Sequence, residues 1–242
     1  MLVVGAGGGI GSAIVTACRE AGARLLHAEL PGVAVATVGE EPVCRVDLAD
    51  VDAACATLAA FAAEHGPLDG LVNAAGVTQR SCFPDVPTAD FRRILDIDLV
   101  APAQVVQALA PHLRSPGGAV VNVTSLESEG VYASQGLTSG AYAAAKAGLR
   151  LASMCHAVEL GRRGIRVNTV APGFIETPMT ASAIAASGTW LRDQTALGRT
   201  GRPADLGPPV VFLLSDGAGY ITGETLNVGG GMGLGAINGL AG

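Results

Sequence analysis

The chain is poor in charge and has no surplus of basic residues. Charged side chains make up 15% of its 242 residues, and 15 Lys plus Arg face 21 Asp plus Glu, a net charge of −6. Too few cations are present to displace counterions from nucleic-acid phosphates or to dock on an anionic bilayer, which excludes both partners. No apolar run approaches the roughly 18 residues of a membrane-spanning helix, so a soluble protein is expected. Cysteine pairs are missing as well. Cys18, Cys44, Cys55, Cys82 and Cys155 are scattered with no CxxC motif. In a chain without a signal peptide they predict reduced thiols, small buried side chains and a cytoplasmic location. His27, His65, His112 and His156 lack metal-ligand spacing, so no metal site is expected. Neither a Pro- or Ser-rich linker nor an internal repeat divides the chain, which predicts one domain over residues 1–242.

Apolar residues are plentiful, at 49%, which excludes disorder and allows a large core. Short apolar runs alternate with longer amphipathic stretches, the pattern of an α/β protein with a parallel sheet. Seven strands are predicted at Leu2–Val4, Arg24–Glu29, Val43–Val46, Gly70–Asn73, Ala119–Thr124, Arg166–Val170 and Thr225–Val228. Helices are predicted at Ile10–Ala21, Val51–Glu64, Ala89–Leu113, Gly140–Leu160 and Ala204–Leu214. Gly22 and Gly66-Pro67 stop the first two. The first strand has only Met1 before it. Both a short interior strand and a missing upstream segment fit. The tail from Gly229 to Gly242 reads as either a flexible end or a packed strap.

Three features carry chemistry. Gly5-Ala6-Gly7-Gly8-Gly9-Ile10-Gly11 joins the first strand to the first helix with GxxxGxG spacing. Main-chain N–H groups at a helix N-terminus bind phosphate, and glycine permits its close approach. The second strand ends in Glu29, placed to accept hydrogen bonds from an adenosine ribose and to repel a 2′-phosphate. No Arg follows it directly, so NAD(H) is expected rather than NADP(H). Tyr142 and Lys146 are four residues apart and share one helix face. The ammonium is expected to pull the phenol pKa down toward working range, with donors left for ribose hydroxyls. Ser125, at the exit of the fifth strand, reads either as a donor to substrate oxygen or as a strand cap. The alanine-rich surroundings of Tyr142 leave that helix apolar nearly all round, which predicts a subunit interface.

With Asn73-Ala74-Ala75-Gly76 and Pro172-Gly173 also in order, the chain resembles the single-domain, roughly 250-residue branch of the short-chain dehydrogenase/reductase family along essentially its whole length. The resemblance implies a doubly wound Rossmann-type sheet with helices on both faces. It implies that Tyr142 is the proton donor and acceptor, Lys146 its cationic partner and ribose ligand, and Ser125 the group orienting the substrate oxygen. Gly5, Gly9, Ile10 and Gly11 would cradle the pyrophosphate. Asp47 and Leu48 would contact the adenine edge, and Asn73, Ala74, Ala75 and Gly76 would flank the adenosine side. Pro172, Gly173, Ile175 and Thr177 would border the carboxamide.

Four positions depart from the family pattern. Val4 replaces Thr, a change expected to alter only turn packing. Ala74 replaces Asn, so one sheet-bridging hydrogen bond is lost or supplied elsewhere. Ser125 and Tyr142 stand 17 apart, four more than usual, lengthening a loop that carries Glu127, Glu129 and Gln135, which are read as solvated acids and an amide. Asp98 replaces a catalytic Asn. Pro102, which has no N–H, is expected either to free the Asp98 carbonyl for a proton-relay water or only to kink the helix for packing.

The segment at about 177–198, with Met179, Ile184 and Trp190, resembles a mobile lid and suggests a substrate with hydrophobic surface. Trp190 is read equally as lid anchor and as core. The expected activity is reversible hydride transfer between NAD(H) and a secondary alcohol or ketone, in a homotetramer. Two alternatives are an NADP(H)-dependent 3-oxoacyl-type ketoreductase and a catalytically silent, cofactor-sensing regulator.

Overall fold

The computed structural model describes residues 1–78, 85–131, 139–187, 189–232 and 234. In chain order its elements are β1 (Leu2–Val4), α1 (Gly9–Glu20), β2 (Leu26–Glu29), β3 (Val43–Arg45), α2 (Val51–His65) and β4 (Gly70–Asn73). These are followed by α3 (Thr88–Leu95), α4 (Ala101–Leu109), β5 (Ala119–Val123) and α5 (Gly140–Gly161). The chain continues with β6 (Arg166–Pro172), α6 (Ala181–Ser187), α7 (Trp190–Asp193), α8 (Gly207–Leu214) and β7 (Thr225–Val228).

The seven strands form one parallel sheet in the order β3-β2-β1-β4-β5-β6-β7. All three residues of β1 are buried, and neighbours on both sides satisfy this short strand, so it sits at the centre of the sheet. The order reverses between β1 and β4. A crevice opens there beyond the carboxyl ends, where ligands bind in such sheets.

Strand residues alternate between two cores. Leu2, Val4, Leu71 and Val120 pack with Leu58, Val105, Val106, Leu109 and Leu160 from α2, α4 and α5. Val3, Val72 and Val121 pack on the opposite face with Ile14, Val15, Val210 and Leu213 from α1 and α8. Helix boundaries follow local chemistry. The Asp50 side chain accepts the Ala53 N–H at 3.2 Å to start α2. Gly22 and Gly66, both at φ 82°, end α1 and α2 in a conformation that favours glycine.

Two expectations need correction. The single helix predicted at Ala89–Leu113 is α3 and α4 separated by a π-helical turn at Asp96–Val100. That turn opens the ladder just ahead of Pro102, which cannot donate to it. Moreover, within the 25-residue helical stretch Thr88–His112 an 18-residue window has a mean hydropathy of 1.3 and is long and apolar enough to cross a membrane. Half of it is buried, and its apolar side chains face α2, α5 and the sheet as part of the core. Of the thiols, Cys18 and Cys44 are buried, but Cys155 is exposed on α5. Cys82, Gln135 and residues 235–242 of the tail lie outside the described residues.

Candidate active site

The glycine turn leaves β1 at the sheet centre and enters α1. Gly8 caps α1 with no side-chain hydrogen bond, and its first turn holds no acid. The N–H groups of Gly9, Ile10 and Gly11 precede the first N–H that donates within the helix, that of Ser12, which bonds the Gly8 carbonyl. These donors, at the positive end of a helix dipole, line a cavity of about 470 Å³. The turn admits no side chain at several points, Gly5, Gly7 and Gly11 among them. Gly5 has φ 83° and its Cβ would lie 2.5 Å from the Ala75 nitrogen; a Cβ at Gly11 would strike the Gly5 carbonyl. Donors, dipole and a glycine-lined cradle fit the pyrophosphate of a dinucleotide. Glu29 stands beside them. Its Oε2 accepts the Gly7 N–H at 2.7 Å and its Oε1 the Leu30 N–H at 2.8 Å, so it braces the turn with lone pairs left for ribose hydroxyls.

The far end of the same cavity is lined by Ser125, Tyr142, Lys146 and Asp98. Ser125 follows β5 and hydrogen-bonds Tyr142, while its Oγ also accepts the Glu127 N–H at 3.2 Å. One turn along α5, Lys146 Nζ lies 5.6 Å from the Tyr142 ring centroid. Lys146 is buried and spends two of its three donors within the protein, on the Val123 carbonyl at 3.2 Å and on Asp98 Oδ1 at 3.0 Å. One remains for a ribose hydroxyl. Asp98 is fully buried, and both its oxygens are within reach of the Val77 N–H at 3.2–3.3 Å.

Electrostatics overturns one expectation. The Tyr142 pKa lies above the ordinary phenol value. Removal from water raises it most; Lys146 pulls it down, but the Asp98 and Glu127 carboxylates push it up again. For Lys146 itself, burial alone would lower the pKa, and the Asp98 carboxylate, with help from Tyr142, more than reverses this. Glu127 is not the solvated acid expected. Its Oε2 is buried with no hydrogen-bond partner among the described residues, and burial pushes the carboxyl up to about 7.

Of the predicted binding residues, Gly5, Gly9, Ile10, Gly11, Glu29, Asp47, Leu48, Ala74, Ala75, Gly76, Pro172, Gly173, Ile175 and Thr177 line the cavity. Asn73 does not. Its Nδ2 donates to Asn122 Oδ1 at 2.8 Å and to the Pro102 carbonyl at 3.3 Å, and Asn122 in turn donates to Ser153 Oγ at 2.8 Å. Asn73 therefore belongs to a buried bridge between β4, β5, α4 and α5. The lid segment holds α6 and α7, and Trp190 and Ile184 pack partly buried against Leu126, Leu191 and Met232. Arg93 on α3 and Thr124 also line the cavity. No local pattern marked Arg93, which packing between elements distant in the chain brings there, whereas Thr124 adjoins the predicted Ser125.

A sheet switch point with a phosphate-binding turn at one end and a Tyr–Lys pair at the other defines a nicotinamide-dependent oxidoreductase. A family model described as enoyl-(acyl carrier protein) reductase matches residues 5–233. The chain is 34% identical to the 3-oxoacyl-(acyl-carrier-protein) reductase FabG of Chlamydia trachomatis, over 96% of both chains. It is 33% identical to the cis-4-hydroxycyclohexanecarboxylate dehydrogenase of Sinomonas cyclohexanicum, over 95% of this chain and 94% of that one. A crystal structure from Brucella melitensis, a short-chain dehydrogenase/reductase described as glucose/ribitol dehydrogenase, superposes with a TM-score of 0.85 at 30% identity. It covers 95% of this chain and 94% of that chain. The protein belongs to the short-chain dehydrogenase/reductase family. It is an oxidoreductase acting on a CH–OH or keto group, and its family binds a nicotinamide cofactor.

Proposed function

We propose that this protein is an NAD(H)-dependent dehydrogenase that interconverts a secondary alcohol and a ketone. The observation that carries the reading is the meeting of Ser125, Tyr142 and Lys146 in one cavity with the glycine turn and Glu29. When bound, the dinucleotide gives or takes the hydride. Tyr142 gives the proton to the nascent alkoxide oxygen, or takes it from the alcohol. Ser125 fixes that oxygen beside the phenol, and Lys146 anchors the ribose with its free donor. Val77, Ile97, Ile175 and Met179 give the cavity apolar lining that suits a substrate with hydrophobic surface.

Preference for NAD(H) rests on Glu29, whose negative charge would meet a 2′-phosphate. The 3-oxoacyl reductase among the relatives supports the competing NADP(H) reading. Arg45, paired with Glu29 across β2 and β3, is a cation near that position. Its guanidinium, however, already donates to the Val33 carbonyl at 2.6 Å and the Leu30 carbonyl at 3.4 Å. A silent regulator would have no need of the intact Tyr–Lys pair. Paired assays with NAD(H) and NADP(H) over a panel of alcohols and ketones, read by nicotinamide absorbance, test the proposal. Equal or better rates with NADP(H) would overturn the cofactor assignment.

The exposed apolar side chains Leu151, Met154 and Val158 on α5 support a homo-oligomer, read here as a tetramer. Sedimentation showing a monomer at micromolar concentration would reject it.

A further inference from the structure

If Tyr142 exchanges the proton, as proposed above, one buried charge remains without a part in the chemistry. Asp98 stands on the π-helical turn, fully buried, with Oδ1 3.0 Å from Lys146 Nζ. The pair is held from several sides. The Val77 N–H, in the loop after β4, bonds the carboxylate, and the Val123 carbonyl, at the end of β5, bonds the ammonium. Seen from the phenol, whose ring centroid lies 5.6 Å from Nζ, this is close to a neutral pair and not a lone cation. A lone ammonium stabilises phenolate strongly, and a carboxylate bonded to it cancels most of that field.

We infer that Asp98 is a positioning counter-ion for Lys146 that keeps the proton on Tyr142 at neutral pH and moves the alcohol-oxidising limb of the pH profile to the alkaline side. Carbonyl reduction needs the phenol as proton donor, and that form is ready at neutral pH. Alcohol oxidation needs the phenolate, and so rises with pH. Other groups around the ring act in both directions. Glu127, after β5, adds to the effect of Asp98 but less strongly, and the Ser125 hydrogen bond opposes both. Arg93 lines the same cavity from α3.

The Asp98→Asn substitution keeps the shape and an oxygen for the Val77 N–H while removing the charge. Its alcohol-oxidation limb is expected to move to lower pH by about one unit. Glu127→Gln should move it less. A second measurement needs no Asp98 variant: ultraviolet difference titration of the cofactor-free native protein against Tyr142→Phe isolates one phenolate. That phenolate should form at higher pH than free tyrosine. Superimposable limbs for Asp98→Asn and native enzyme, or a Tyr142 phenolate forming below the free value, would overturn the inference. Lost turnover in Tyr142→Phe with unshifted limbs rejects the counter-ion role alone. Full turnover in Tyr142→Phe rejects both this role and the proton-transfer reading.

Discussion

The two ends of the cavity are built by different means. At the turn between β1 and α1, the groups proposed to bind the dinucleotide are main-chain N–H donors, and glycines supply the shape. At the far end the groups are side chains from separate segments: Asp98, Ser125, Tyr142 and Lys146. The first end depends on what is absent, since a single methyl at Gly11 would strike the Gly5 carbonyl. The second depends on what is desolvated, since the field at Tyr142 is set by charges that water does not screen. On the proposed reading, space governs affinity at one end and charge governs the pH response at the other.

Tyr142→Phe breaks the chemical end outright. Turnover should fall about a thousandfold, while dinucleotide binding, followed by fluorescence titration, survives. A parallel loss of binding would mean that the two ends are not separable.

Glu127 tests the charge argument through stability. Its folded carboxyl titrates near 7 against an ordinary value of 4.5. The folded state thus holds the proton more tightly than the unfolded state. Native stability should be greatest below pH 4.5 on this account and fall as pH rises through 7, by up to about 3 kcal/mol. In Glu127→Gln that slope should flatten between those values in denaturant titrations. An unchanged slope would show that the carboxylate finds a partner or water in solution.

Gly11→Ala tests the space argument. Dinucleotide affinity should weaken about tenfold or more, with the pH profile of any remaining activity unmoved. A shifted profile would couple the two ends. The smallest effect is expected at Glu29→Ala, where the ratio of NAD(H) to NADP(H) efficiency should narrow by about tenfold or less. An unchanged ratio would place the discrimination elsewhere, with Arg45 the next residue to replace.

Much of this was legible beforehand, and the reasons are local. Glycine spacing, the period-two burial of strands, the caps at Gly22 and Gly66 and the Tyr142–Lys146 spacing each depend on residues within a few positions of one another. The bonds that hold Asn73 off the cavity were not legible, because its partners, Asn122 and Pro102, lie on other elements. Glu127 was read as solvated because charge alone suggests water, whereas the packing around Leu126 buries its Oε2. The break at Asp96–Val100 was announced by Pro102 but not its form, because a π-helical turn is one of several ways to accommodate a missing N–H.

By itself the amino-acid order determined the parallel α/β sheet, the glycine turn that opens α1 and the placing of Tyr142 and Lys146 on one helix face, because periodicity and short-range stereochemistry suffice for each. Only the tertiary structure decided the field in which that pair operates. Asp98 and Lys146 meet because the π-helical turn Asp96–Val100 packs against α5. Electrostatic energy depends on distance through space and on exclusion of water, and neither is written in the spacing of residues along the chain.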